Sequence, residues 1–158
     1  MRVALAADHG GAELKAELLR RLPAAGLEHE WLDLGGDGSD QGDDYPDYSR
    51  ALGQAIASGR ADRGILICGS GVGATVAANK IRGVRASVCH DTYSAHQGVE
   101  HDDLNVLCLG ARVVGAEVAV ECAIAFLGAR FSGAERHRRR LEKVLAIEAD
   151  GGAAEGAG

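Results

Sequence analysis

The residue best suited to take part in a reaction is a cysteine that is followed at once by a glycine-rich loop. Cys68 ends an apolar run, and a loop that alternates glycine with serine or valine comes next; its residues are Gly69, Ser70, Gly71, Val72 and Gly73. Alternating glycines let a backbone turn sharply and point several N–H groups at one spot, and the helix predicted to follow adds its positive end. The sequence therefore predicts an anion-binding loop with a thiol at its edge.

Three kinds of anion fit such a loop. A nucleotide phosphate is one, with Asp91 as a ribose-binding acid, but the spacing matches neither the dinucleotide fingerprint nor a P-loop. A cysteine-dependent phosphatase is another, although the predicted helix opens with Ala74 rather than the arginine that this chemistry needs. The third is the enediolate of a sugar. Its formation needs a base that takes a proton from carbon and donors that hold the oxygen that becomes negative.

Cys68 and its loop suit the third kind of chemistry best. Oriented amide groups favour a thiolate, which can act as the base. The competing interpretation treats Cys68 as a small buried side chain at the end of a strand. We favour an aldose–ketose isomerase that works through a cis-enediolate. A non-catalytic protein that binds the same sugar phosphates remains an alternative.

The elements that must position this loop alternate along the chain. Strands are predicted at residues 3–7, 29–34, 64–68, 85–89 and 105–109, and helices at 11–22, 46–57, 74–80, 92–99, 116–127 and 134–148. This order predicts an α/β fold, a three-layer αβα Rossmann-like domain with a five-stranded parallel sheet and a C-terminal helix. Residues 1–148 form this domain, and a disordered tail is predicted at 149–158. Ligands of such sheets bind at the carboxyl ends of the strands.

Composition argues against several kinds of partner. A formal net charge of −6 does not suit a nucleic-acid protein. The longest apolar stretch, at 113–127, carries two glutamates and is shorter than a membrane span. The histidines and aspartates of residues 90–103 lack the spacing of a helix-borne zinc motif, so we predict neither a metal nor another cofactor. We therefore expect a small-molecule partner, with no nucleic acid and no membrane.

The four cysteines show no C-x-x-C pairing, and three of them follow strand-like runs. Together with the absence of a signal-peptide pattern at the N-terminus, this predicts a reduced, cytoplasmic protein.

Several motifs, in order along residues 1–145, resemble one family. They are Asp8-His9-Gly10, Asp44-Tyr45-Pro46, the run from Cys68 to Gly73, Ala77-Ala78-Asn79-Lys80, Glu100-His101-Asp102-Asp103, Gly110-Ala111-Arg112 and the run from Arg136 to Arg140. Together they resemble the ribose-5-phosphate isomerase B family, which also includes the galactose-6-phosphate isomerase subunits. Members of this family are Rossmann-like proteins that form at least dimers and build their active sites from both subunits.

The resemblance implies a role for each matching residue. Cys68 would be the base, since the glutamate used by the other branch of the family is Ala74 here. Gly69, Gly71 and Gly73 would hold the oxyanion, and Ser70 would orient the sugar oxygens. Asp8 and His101 would assist ring opening. Tyr45 would line the sugar pocket. The phosphate would be held by His9, Arg112, Arg136 and Arg140. The last two are spaced i, i+4 and so lie on one side of a helix.

Two departures leave the substrate open. The family's usual His-Asn pair is His101-Asp102 here, which places an acceptor where an amide is usual near the sugar. The polar segment at residues 89–98 resembles a subgroup that includes tetrulose-phosphate isomerases. Ribose 5-phosphate with ribulose 5-phosphate is the favoured pair, and a tetrose or tetrulose 4-phosphate is the alternative. A homodimer or a dimer of dimers is expected.

Overall fold

A computed structural model describes residues 1–153 of the chain. Strands and helices alternate through most of it. The strands are β1 (Arg2–Ala7), β2 (Glu30–Asp33), β3 (Arg63–Cys68), β4 (Ala86–Val88) and β5 (Val106–Gly110). The helices are α1 (Ala12–Ala24), α2 (Tyr45–Ala57), α3 (Val72–Ala78), α4 (Thr92–Asp102), α5 (Ala116–Gly128) and α6 (Glu135–Ala153).

The five strands form one parallel sheet in the order β2-β1-β3-β5-β4. Strand β3 lies at its centre, and Cys68 at its carboxyl end is level with Gly110 of β5. Its residues 64–68 are all buried, as expected for a parallel strand covered on both faces. The predicted αβα fold with a five-stranded parallel sheet and a C-terminal helix is confirmed.

The alternation of side chains along the strands divides the core into two layers. One face carries Leu5, Ile67 and Leu109 and packs against α1, α4 and α5. The other carries Leu66, Cys68 and Cys108 and packs against α2 and α3. The thiol of Cys68 therefore belongs to the α2–α3 side, and the glycine-rich loop continues directly from it.

The loop between β2 and α2 is fixed against the carboxyl end of β1. Gly36 has a φ of +80°, and a Cβ atom built there would lie 1.6 Å from the carbonyl oxygen of Ala7, so only glycine fits. The ammonium group of Lys15, which is buried, donates to Asp33 and to the carbonyl of Gly35. These contacts place the predicted loop at 35–44 beside the glycine-rich loop.

The outer edge of β4 is occupied by a side chain of the same molecule. The carboxamide of Asn79 donates to the carbonyl of Ala86 and accepts from its N–H, each at 2.8 Å. A side-chain amide here takes the place of a neighbouring strand. Strand β4 is shorter than the predicted strand at 85–89. Before its start, the N–H of Arg85 bonds the side chain of Asn105 and the guanidinium of Arg85 bonds Asp103.

Two helices are longer than predicted. Helix α4 continues past residue 99 to Asp102, and Asp103 then ends it in a left-handed conformation with φ 52°. Helix α6 continues to Ala153, so the first five residues of the predicted tail at 149–158 are helical. The remainder of that tail lies outside the described residues.

The apolar stretch predicted at 113–127 forms α5, which packs on α1 and α4 and buries Phe126 completely. Among the described residues, no helix combines the length and the apolar character that a membrane crossing requires.

Candidate active site

A cleft of about 360 Å³ opens at the carboxyl edge of the sheet, between the loops that follow β1, β3 and β5. Its lining consists of Asp8, Tyr45, Cys68, Gly69, Ser70, Gly73, Arg112 and Val113. All except Val113 were predicted site residues. The parallel strands bring them together because each strand delivers its following loop to the same edge.

The sulfur of Cys68 faces this cleft and is bonded by the glycine-rich loop. The side chain is almost buried, and its Sγ accepts the N–H of Gly71 at 3.1 Å. Gly71 reaches this position with a φ of +79°, and a Cβ there would approach the backbone of Leu109 and Gly110 to about 3 Å. The glycine-rich loop thus holds the sulfur in place through a backbone donor.

The other cysteines are in different surroundings. Burial raises the pKa of Cys108 to about 12 and that of Cys122 to about 11, and it also raises the pKa of Cys89. These three thiols are therefore protonated at neutral pH and have no access to the cleft. Among the described cysteines, Cys68 alone lines the cleft.

The amide groups around Cys68 are available to a ligand. Within the described part of the chain, the N–H groups of Gly69, Ser70 and Gly73 have no hydrogen-bond partner. The N–H of Val72 is bonded by the Ser70 hydroxyl at 3.2 Å, which closes the turn. Three unpaired donors beside a sulfur can bind an oxygen that gains negative charge during a reaction.

Asp8 has two functions in this structure. Its Oδ1 accepts the N–H of Gly11 at 3.0 Å, just before the start of α1, and the carboxylate also lines the cleft. An aspartate that holds the start of a helix is well fixed. Within residues 1–153, the second carboxylate oxygen has no hydrogen-bond partner.

The rim of the cleft is built from one aromatic ring and one guanidinium group. A Cβ built on Gly73 would lie 2.8 Å from the ring of Tyr45, so this glycine leaves room for that ring. A Cβ built on Gly69 would lie 3.5 Å from the guanidinium of Arg112. Both side chains are exposed and flank the thiol. This combination suits a small polar ligand with an anionic group.

His9 follows Asp8 but is held by a residue that the sequence analysis did not select. Its Nδ1 lies 2.6 Å from Oδ1 of Asp43, which also accepts the backbone N–H of His9 at 3.0 Å. Tyr48 donates to the same carboxylate, and this bond raises the pKa of Tyr48 to about 12. Burial opposes ionisation of Asp43, but the bonds from His9 and Tyr48 outweigh it and lower its pKa. Asp43 thus fixes the His9 ring, with Nε2 left free.

Four predicted site residues lie at the opposite edge of the sheet. Helix α4 runs back from the carboxyl edge to the amino edge, so His101 and Asp102 in its last turn are near the start of β5. Strand β3, with Cys68 at its other end, spans roughly 17 Å. Arg136 and Arg140 belong to α6, whose Glu148 bonds the N–H of Gly83 beside the same amino edge.

His101 belongs to a compact group at this second edge. Its ring stacks on that of His137 with the centroids 4.0 Å apart, and Nε2 of Gln97 lies 2.7 Å from its Nδ1. Asp102 lines a cavity of about 900 Å³ that also includes Arg82 and Ile147. This cavity is larger than the cleft around Cys68, but among the described residues no cysteine or serine lines it.

One chain therefore brings together one part of the predicted site and leaves another part separate. Cys68, its loop, Asp8, Tyr45 and Arg112 share one cleft, with His9 next to it. His101, Asp102, Arg136 and Arg140 do not reach that cleft within one chain.

The other histidines considered as metal ligands have different partners. His90 accepts the N–H of Gly110 at 2.9 Å, and His96 lies 3.5 Å from Glu100 in the same helix. No set of three or more histidine, cysteine or acidic side chains is grouped for a metal within the described residues.

A doubly wound parallel sheet with a thiol and free amides at its carboxyl edge defines a Rossmann-like α/β enzyme. The chain belongs to the Ribose/Galactose Isomerase family, whose sequence model matches residues 3–144. It is therefore an isomerase, and the predicted family and enzyme class are confirmed.

Curated relatives support the same assignment along most of the chain. Ribose-5-phosphate isomerase B of Escherichia coli K12 is 45% identical over 147 residues, which covers 93% of this chain and 96% of the relative. The D-erythrulose-4-phosphate isomerase of Pectobacterium atrosepticum is 40% identical over 133 residues, or 84% of this chain and 86% of the relative.

The fold is also similar to that of solved structures. The type B ribose 5-phosphate isomerase of Trypanosoma cruzi matches with a TM-score of 0.90 and 41% identity, covering 95% of this chain and 99% of that one.

Proposed function

We propose that this enzyme interconverts ribose 5-phosphate and ribulose 5-phosphate through a cis-enediolate, with Cys68 as the base. The observation that carries the proposal is the cleft in which Sγ of Cys68 accepts the Gly71 N–H beside three unpaired amides. Family membership favours catalysis over the alternative of a non-catalytic sugar-phosphate-binding protein.

The proposed proton transfers use this arrangement directly. The Cys68 thiolate takes the proton from C2 of the open-chain aldose, and the electron pair moves to make O1 negative. The N–H groups of Gly69, Ser70 and Gly73 bind that oxygen. The Ser70 hydroxyl helps the O2 proton pass to O1, and the thiol returns its proton to C1. The phosphate supplies binding energy that places C1 and C2 against the sulfur.

We propose that a homodimer completes the site. Of the residues expected to open the ring and to bind the phosphate, Asp8 and Arg112 lie with the thiol at the carboxyl edge. His101, Arg136 and Arg140 lie at the amino edge of one chain. A second copy that contributes its His101, Arg136 and Arg140 to the Cys68 cleft would supply them. Helix α6 offers a surface for this contact, because Val144, Leu145 and Ile147 are exposed on it. The unpaired cysteines of the described chain suit a cytoplasmic setting.

A tetrose or tetrulose 4-phosphate is the second candidate substrate. It is favoured by the similarity to the Pectobacterium atrosepticum D-erythrulose-4-phosphate isomerase and by Asp102 in place of the usual asparagine. In a tetrose 4-phosphate the O4 oxygen carries the phosphate and cannot close a furanose ring. The residues proposed to open the sugar ring would then contribute less to catalysis.

A substrate panel tests the proposed function. C4, C5 and C6 phosphorylated aldoses and ketoses are each assayed for interconversion, with and without a chelator. We expect the highest kcat/KM with the ribose 5-phosphate pair and no effect of the chelator. Preference for the C4 pair would select the second candidate. Activity that the chelator removes would contradict the metal-free mechanism, and no turnover with any member would contradict the proposal as a whole.

A second prediction concerns the support of His9. The Asp43→Asn variant loses the negative charge that holds the His9 ring. The phosphate of the substrate would then bind to a His9 side chain whose position is less fixed. We expect KM for the sugar phosphate to rise by about 3- to 30-fold with kcat little changed, because the interaction is made equally in the ground and transition states. Steady-state kinetics measure KM and kcat, and competitive inhibition by inorganic phosphate measures the affinity of the phosphate site.

The matched control is Asp40→Asn in the same loop, since Asp40 bonds only the N–H of Gly42 and loses the same charge. It should leave KM unchanged. Equal effects of both variants would show that loop charge, rather than the contact between Asp43 and His9, controls phosphate binding.

A further inference from the structure

His137 of α6 is a buried polar side chain beside the last turn of α4, where it contacts His101. It is only 3% exposed, although its neighbours in the basic segment of α6 are exposed. Its Nδ1 lies 2.6 Å from the hydroxyl of Ser132, and its Nε2 accepts Nε–H of Arg136 at 3.1 Å. Both ring nitrogens are therefore occupied, so this side chain has no nitrogen left for a substrate.

The hydrogen bonds define the state of the His137 ring. Because Nε2 is an acceptor, the proton of the neutral ring lies on Nδ1 and is donated to Ser132, whose oxygen also accepts the N–H of Ala134 at 3.2 Å. Burial lowers the pKa of His137, and the nearby His101, Arg136 and Arg140 lower it further. The ring is a neutral, fixed acceptor for the guanidinium.

The same ring is also the support for His101. The two imidazoles stack at 4.0 Å with their planes 31° apart, and Gln97 donates to Nδ1 of His101 on the other side. With Nδ1 accepting, a neutral His101 carries its proton on Nε2. Arg136 meanwhile is exposed and, within the described residues, has no carboxylate partner, so its two terminal nitrogens are free.

We propose that His137 is a positioning residue that joins Arg136 and His101 into one rigid unit. This inference rests on the proposed function, in which the unit is inserted into the Cys68 cleft of a second copy. His137 touches no substrate. It fixes the Nη groups of Arg136 for a bidentate grip on the phosphate and holds the plane of His101 for the ring oxygen of the sugar.

Two substitutions separate these two effects. His137→Phe keeps a flat ring that can stack on His101 but removes the acceptor for Arg136. We expect KM and the inhibition constant for inorganic phosphate to rise by about 3- to 10-fold, with kcat within about 3-fold of wild type. His137→Gln keeps an acceptor for Arg136 and removes the stacking ring. It should lower kcat on ribose 5-phosphate by about 10-fold and leave phosphate inhibition nearly unchanged.

A double variant tests whether Arg136 and His137 act together. If His137 acts through Arg136, His137→Phe adds nothing to the loss of phosphate affinity already caused by Arg136→Ala, so the two effects are not additive. Melting temperatures and dimer mass of each variant show that the chain still folds and associates.

Three results would overturn the inference. Fully additive losses would show that His137 acts independently of Arg136. Unchanged kinetics of His137→Phe and His137→Gln, with Arg136→Ala impaired, would reject the role of His137 and leave the proposed function intact. Unchanged phosphate inhibition in Arg136→Ala would reject the role of His137 together with the proposed phosphate site, while the Cys68 chemistry would still be tested separately.

Discussion

Replacement of Cys68 by alanine is expected to lower kcat by about 10²- to 10⁴-fold, the range that a general base contributes. The sulfur accepts the Gly71 N–H in the loop that carries the unpaired amides of Gly69, Ser70 and Gly73, and the alternative base position of the family is occupied by Ala74. Binding should survive, because the phosphate contacts are made elsewhere. Turnover is measured with the preferred sugar phosphate, and binding by thermal stabilisation with the same compound.

Cys89→Ala is the matched control for this variant. Cys89 also lies at the end of a strand and is nearly fully buried, but burial raises the pKa of its thiol and it does not line the cleft. It should keep its turnover. Full turnover in Cys68→Ala would remove the thiol from the mechanism, and equal losses in both variants would indicate a packing effect instead of proton transfer.

The second large effect is expected from mixed dimers. Cys68→Ala and His101→Asn homodimers should each be nearly inactive on ribose 5-phosphate. A dimer with one chain of each kind has one site that carries both changes and one site that carries neither. Random assembly of equal amounts makes about half of the dimers mixed, which restores about a quarter of the wild-type sites in the whole mixture. Co-expression with two affinity tags isolates the mixed dimers, and this doubly tagged fraction should show about half of the wild-type turnover per dimer.

The pair Cys68→Ala and Asp8→Asn is the control. Both residues line the same cleft of one chain, so every site of their mixed dimer remains defective and activity should not return. Recovery with the His101 pair but not with the Asp8 pair is the expected pattern. Absence of recovery in verified mixed dimers, or a monomer in solution, would contradict a site shared between chains.

The fold was open to prediction because its signals are local. The apolar run at residues 64–68 indicates a central buried strand. The alternation of strands and helices predicts a parallel sheet whose following loops lie at one edge. The ends of helices and strands that depend on tertiary contacts were not predicted. Helix α4 continues past residue 99 and ends where Asp103 adopts a left-handed backbone. Strand β4 begins only at Ala86, and the N–H of Arg85 before it bonds the side chain of Asn105.

The site was predictable where a strand carries a residue directly to the sheet edge. Cys68, Asp8 and Arg112 are of this kind. Asp43 stands in a loop rich in glycine and aspartate, and only the folded chain shows that it bonds His9. His137 lies inside a basic run that suggests a solvated helix face. Periodicity alone does not show that its side chain bonds the hydroxyl of Ser132. Contacts between distant elements leave no pattern in the sequence.

The pairing of Asn79 with Ala86 has a consequence for assembly. Exposed sheet margins tend to recruit strands from other molecules, which leads to aggregation or to continuous sheets between subunits. Here both main-chain groups of Ala86 are already satisfied from within the chain. In the proposed homodimer we therefore expect the contact to use helical surfaces and not the edge of β4. Asn79→Ala should expose this edge and increase aggregation.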